Sequence, residues 1–325
     1  MRQAKRTLLT LILCLAAASA PAAGFRFIEV PADNEGPALR GAVWYPCDAP
    51  NGEIQLGTVT MPGVRDCTVT GKHWPLVVIS HGSGGSFLGH HDTAETLADA
   101  GFVVAAISHP GDSFQDLSRQ GHLSAFASRP VDMKRLVDYM VERWPDRSRL
   151  AAGEIGFFGF SRGGYTGLVA AGAIPDFRVG MSLCAQANDI PLCEEIRKGE
   201  FPRPPASDMR IKAAVIADPL SVFTADGLKR VAIPIQLWAS ARGGDGVTPE
   251  QVDAVRRNLP APPEYHVAAN TGHFSYLAPC SPAQAQSIPV ICQDMPGFDR
   301  AAFHKDFNAE VLAFFRLNLR QSARR

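Results

Sequence analysis

Five residues, Gly159-Phe160-Ser161-Arg162-Gly163, constrain this chain more than any other segment. The run before them, Ile155 to Phe158, reads as a short buried strand, and the run after them, Tyr165 to Ala173, as a small-residue helix. A serine between two glycines at a strand-to-helix turn sits on a tight corner with its Oγ projecting outward, where a nucleophile is useful. In a chain with 29 glycines the pattern alone carries little weight, so its surroundings decide its meaning.

The surroundings supply what such a serine needs. Upstream, the apolar run Leu76 to Ser80 stops at His81-Gly82-Ser83-Gly84-Gly85, a pliable backbone whose N–H groups can turn toward an oxyanion. The backbone amides of Ser83 and Arg162 are the expected donors. Downstream, Pro234 to Ala239 reads as a strand followed by Arg242-Gly243-Gly244-Asp245, and Tyr265 to Ala268 as another followed by Asn270-Thr271-Gly272-His273. The chain order is nucleophile, acid, histidine, the order of α/β-hydrolases and not of the trypsin-like or subtilisin-like enzymes. On this reading Ser161 attacks a carbonyl, His273 takes its proton and Asp245 orients the imidazole.

On these motifs, together with Ser108-His109-Pro110-Gly111-Asp112 at another strand end, the chain resembles α/β-hydrolases of the dienelactone-hydrolase-like group. It lies near bacterial polyester-cleaving cutinase-like esterases and platelet-activating-factor acetylhydrolases, and the likeness runs over residues 25 to 320. The resemblance implies a carboxylic-ester hydrolase acting without a cofactor through an acyl-enzyme on a small or lipid-derived ester. Most such relatives carry the acid at the position of Asp245. The acetylhydrolase branch carries it at that of Asp218, which otherwise reads as a turn former before Pro219. One departure stands out: the enzymes that named the group use a cysteine nucleophile, and this chain has Ser161. Two other functions remain open, an acyltransferase using the same three residues and a non-catalytic binding protein on a hydrolase scaffold.

Lys plus Arg and Asp plus Glu number 32 each, so the chain lacks the basic footprint of a nucleic-acid binder. Its start, basic to Arg6, apolar from Leu8 to Ala18 and then small, has the layout of a signal peptide over residues 1–23. The apolar run is too short to span a bilayer, so the expectation is an exported protein, periplasmic or secreted, with a hydrolase domain over 24–325. Of seven cysteines, six lie beyond that segment and fall into local pairs, Cys47 with Cys67, Cys184 with Cys193 and Cys280 with Cys292, each bracketing a loop. No two are spaced like zinc ligands, and no metal is expected.

Strands are expected at Phe25–Val30, Leu39–Trp44, Val77–Ser80, Phe102–Ser108, Ile211–Ala217 and Pro234–Ala239. Asp92 to Glu95 has the form of a helix-initiating capping box, closed by Gly101. Helical periodicity runs from Val131 to Trp144 and from Phe303 to Phe315. The alternation makes this an α/β protein with a doubly wound, mostly parallel sheet in a single domain. Three stretches escape the alternation, 112–129, 184–209 and 276–302, and are expected to wall the ligand site, 184–209 as a cap. Phe87, Phe114, Tyr165 and Phe274 are candidate pocket residues. His81 and His109 are expected to shape loops by bonding backbone, and His90 and His91 to cap a helix in solvent.

Overall fold

The computed structural model describes residues 22–50, 52–186, 190–202 and 207–319. Nearly all of the expected signal peptide, residues 320–325, and Asp189, Pro204 and Pro205 of the expected cap lie outside the described residues.

Strands β1 (Ala22–Val30), β2 (Leu39–Cys47), β5 (Val64–Arg65), β6 (Trp74–Ser80), β7 (Val103–Ile107), β8 (Leu150–Phe160), β9 (Ile211–Ala217), β10 (Ile235–Ser240) and β11 (Glu264–Ala268) form one sheet, and β3 (Glu53–Leu56) with β4 (Val59–Pro62) a separate hairpin. The sheet order is β11-β10-β9-β8-β6-β7-β2-β1-β5. From β7 to β11 all neighbours are parallel, while β2 runs antiparallel to both β1 and β7. The helices are α1 (His91–Asp99), α2 (Leu123–Glu142), α3 (Arg162–Ala170), α4 (Pro191–Lys198), α5 (Ala225–Leu228), α6 (Pro249–Asn258), α7 (Pro282–Ser287), α8 (Pro289–Cys292) and α9 (Arg300–Leu319).

Burial explains why the central strands lack polar alternation. All five residues of β7 are buried, because helices cover both faces of the sheet. Leu76, Val78, Val103 and Ala105 pack with Leu136, Met140 and Leu168 of α2 and α3 on one face. Val77, Ile79, Val104 and Ala106 pack with Leu97, Phe307, Val311 and Phe314 of α1 and α9 on the other. From β6 the chain steps to β7 on one side and later to β8 on the other, so the crevice at the C-terminal ends of β6 and β8 is the switch point where open α/β sheets hold ligands. The His81 loop and Ser161 leave the sheet there.

Three local expectations need correction. Helix α1 starts at His91 with no side-chain cap, and Asp92 lies inside its first turn. The Asp92 carboxylate accepts from His304 Nδ1 at 2.6 Å and Asn308 Nδ2 at 2.8 Å, so partners on α9 claim the group that a capping box would have used locally. His90 and His91 are buried and not solvated: His90 packs on Phe158 and Phe160, and His91 Nδ1 meets Glu95 at 2.8 Å. Helix α2 begins at Leu123 and runs through Pro130, where a periodicity argument stops because proline deletes an intrahelical bond. Its first amide, Leu123 N, is met by Glu195 Oε2 of α4 at 2.6 Å, a cap supplied from far along the chain. The stretch 276–302 likewise contains α7 and α8. The three disulfides join the expected neighbours, Cys47–Cys67, Cys184–Cys193 and Cys280–Cys292.

Candidate active site

Ser161 follows the last residue of β8 and caps α3, with φ 56° and ψ −120°. A non-glycine residue at positive φ costs about 1–3 kcal/mol and persists only where its surroundings hold it. The flanking glycines show how tightly they do. A Cβ on Gly163 would sit 1.9 Å from Ser80 O, and one on Gly159 2.2 Å from Gly163 O. The Ser161 amide donates to Ala217 O and its carbonyl accepts from Leu220 N, both at 3.0 Å, pinning the turn to the end of β9.

In the parallel register Phe160 stands opposite Ala217, so Ser161 and Asp218 leave the sheet side by side. Asp218 is fully buried; its Oδ1 accepts from Ser240 N at 2.9 Å, and its Oδ2 meets Ser240 Oγ and His273 Nδ1, both at 2.7 Å. His273 is itself buried, its amide donates to Gly243 O at 2.9 Å, and its ring lies 4.6 Å from that of Phe160. A carboxylate only accepts, so Nδ1 carries a proton, and in a neutral ring Nε2 is then the nitrogen with the lone pair. That Nε2 is buried with no hydrogen-bond partner among the described residues. It is the atom that would receive a hydroxyl proton.

The acid expected at Asp245 is therefore not the one that holds His273. Asp245 is exposed, at φ 49°, on a turn closed by Gly244 N to Val247 O at 2.9 Å. Its loop supports His273 through the backbone of Gly243, but the excursion beyond Ser240 carries the Asp245 side chain to the tip. Asp218 comes straight off the strand beside β8 and reaches His273 directly. Pro219 packs against Gly164, where a Cβ would lie 2.9 Å away.

Gly85 N returns to Gly82 O at 3.2 Å, making Ser83 and Gly84 the centre of a turn whose Gly82 abuts Ser161. Gly84 N is engaged by Asp112 Oδ1 at 3.4 Å. The Arg162 amide is the first of α3, where amides have no intrahelical acceptor and the helix dipole favours negative charge. His81 bridges backbone, with Nδ1 donating to Gly82 O at 2.6 Å and Nε2 accepting from His109 N at 3.1 Å. Burial, reinforced by nearby Arg129, depresses its pKa to about 3, so it stays neutral. His109 instead uses side chains, Ser80 Oγ at 2.9 Å and Asp132 Oδ2 at 3.0 Å.

The aromatic candidates divide. Phe114 is exposed at 63% beside the half-exposed Leu117, Phe87 and Phe274 are partly buried, and Tyr165 is fully buried among Phe126, Phe177 and Phe223. A cavity of about 520 Å³ is lined by Tyr165, Ile174, Phe177, Phe201, Pro202 and Thr224, among others, but by neither Ser161 nor His273. Phe201 and Pro202 come from the expected cap. Ligand-type atoms of Glu264, His266 and Glu310 converge within 4.8 Å on β11 and α9, where His266 Nε2 already bonds Glu264 at 2.9 Å. Sequence reasoning missed Ser240, which has no motif to betray it, and gave no role to Asp112.

The sheet order, the elbow and the buried Asp218–His273 pair define the α/β-hydrolase fold. Residues 71–212 match a family model described as serine aminopeptidase, S33. That span holds the His81 loop and Ser161 but ends before Asp218 and His273. The structure is similar to that of a ferulic acid esterase from Streptomyces cinnamoneus, with a TM-score of 0.65 and 18% identity over 94% of this chain and 92% of that one. No curated protein matches the sequence.

Proposed function

We propose that this protein is a serine hydrolase of carboxylic esters. Ser161 is the nucleophile, His273 the general base and then acid, and Asp218 the group that fixes the histidine tautomer and stabilises its cation. The backbone amides of Ser83 and Arg162 receive the oxyanion. Ser161 Oγ attacks the ester carbonyl as its proton passes to His273 Nε2, the alcohol departs with that proton, and water activated by His273 then releases the acid.

The observation that carries this reading is the strained Ser161 elbow beside a buried histidine whose Nδ1 is held by Asp218 while its Nε2 is unpartnered among the described residues. The likeness to an esterase over almost the whole chain supports it. The sequence motifs favour the dienelactone-hydrolase-like group, with small or lipid-derived esters as substrates. Three disulfides are compatible with export to the periplasm or beyond. No helix among the described residues is long and apolar enough to cross a membrane.

The test is a chain-length series of p-nitrophenyl esters, acetate to octanoate, on the protein and on Ser161→Ala. Turnover of at least one ester by the first and none above background by the second is expected. Equal activity in both would remove Ser161 from the chemistry.

A further inference from the structure

The two residues whose amides are assigned above to the oxyanion have their side chains tied to one buried carboxylate. Ser83 Oγ donates to Asp112 Oδ1 at 3.0 Å, and Arg162 Nη1 donates to Asp112 Oδ2 at 2.9 Å. Gly84 N, next to Ser83 on the same turn, reaches Asp112 Oδ1 at 3.4 Å. Arg129, fully buried on α2, donates through Nη1 to Asp112 Oδ2 at 2.6 Å and through Nη2 to the carbonyl of His81. It also reaches Thr166 Oγ1 of α3 at 3.3 Å. Gln120 closes the ring: its Nε2 donates to Ser83 Oγ and its carbonyl accepts from Arg162 Nη1, both at 3.0 Å.

Asp112 is fully buried, and burial alone would raise the proton affinity of its carboxyl. The Arg129 and Arg162 guanidinium groups outweigh that effect and hold it below the usual carboxylate range, so Asp112 is ionised at neutral pH. The loop it grips needs such an anchor. Gly82, Gly84 and Gly85 give the turn wide conformational freedom, whereas oxyanion donors stabilise a transition state only if they are in place before charge develops. Each bonded oxygen of Asp112 faces a different wall of the crevice, Oδ1 the β6 loop and Oδ2 the α3 terminus.

We propose that Asp112 is the positioning residue of the oxyanion hole, setting the spacing between the Ser83 and Arg162 amides across the β6–β8 crevice. This rests on the reading of those amides as oxyanion donors. The fold alone would need Asp112 only as counter-ion to Arg129; a bond to Ser83 Oγ adds nothing to that task.

The test measures the rate at which an alkyl fluorophosphonate phosphonylates Ser161, the serine proton passing to His273 and fluoride leaving. This reaction places an oxygen in the same hole without requiring ester turnover. Asp112→Asn should slow labelling about 100-fold, as expected of donors displaced by about 1 Å. Ser83→Ala, which keeps the amide and both arginines paired, should slow it about tenfold, with Ser83→Thr restoring most of the rate. The pH midpoint of labelling should stay unchanged, since His273 and Asp218 are untouched, and in ester assays kcat should fall with KM unaltered. Wild-type labelling rates in folded Ser83→Ala overturn the proposal, whether or not Asp112→Asn folds. If Ser161 labels but no ester is hydrolysed, the ester reading fails while the rate comparison still decides this one. If wild-type Ser161 does not label, both fall.

Discussion

Asp218 and Asp245 each stand at positive φ just beyond a strand of the same sheet, yet one is fully buried against His273 and the other exposed. Asp218→Asn should therefore lower kcat by about 10³- to 10⁴-fold, since an amide cannot hold the Nδ1–H tautomer. Asp245→Asn should stay near wild type in the same p-nitrophenyl assay; the reverse ranking would return the role to Asp245. The turns that carry Ser83, Ser161, Arg162 and His273 were legible because local pattern dictates where the chain leaves each strand. The aspartate that bonds His273 was not, because both candidates follow strands and only the path of the 241–247 loop separates them. A second residue-scale outcome concerns Asp132, whose carboxyl burial pushes up to about 7 despite Arg119, Arg135 and Arg129 nearby. The unfolded chain gives up that proton near the ordinary value of 3.8, whereas the folded protein keeps it until about 7. Its contribution is fully present below the lower value and is lost as pH rises through the upper one. Denaturant unfolding of Asp132→Asn should accordingly gain stability relative to wild type as pH rises from about 4 to about 7, and parallel curves would refute the shift.

At the scale of elements, the strands were readable from their unbroken apolar runs, and the helix starts were not. A buried parallel strand announces itself by composition, since both faces meet helices. The beginning of α1 depends on His304 and Asn308, and that of α2 on Glu195, partners that no local window contains. Helix α9 shows what such distant packing is worth. Phe307 is fully buried and meets the rings of Phe158, Trp238, Tyr276 and Phe303. Phe307→Ala should cost about 3–5 kcal/mol in denaturant unfolding, the range for a large aromatic removed from a packed core. A loss below about 1 kcal/mol would mean that the cavity collapses at little cost or that α9 contributes little.

For the whole molecule, the doubly wound architecture followed from alternation of strands and helices, and the three cysteine pairs from their spacing. The Cys280–Cys292 bridge closes the segment between His273 and α9, its ends 12 residues apart in sequence. Replacing both cysteines by serine should cost about 2–3 kcal/mol, read as a lower denaturant midpoint at unchanged slope, because the unfolded chain regains loop entropy. The groups assigned to the reaction come from turns as far apart as Ser83 and His273, stitched together by neighbouring strands. A ribosome making this chain delivers Ser161 just over a hundred residues before the imidazole. On the proposed chemistry, every nascent or prematurely terminated product short of position 273 is inert toward esters, and reactivity arrives only once the turn beyond β11 has been made.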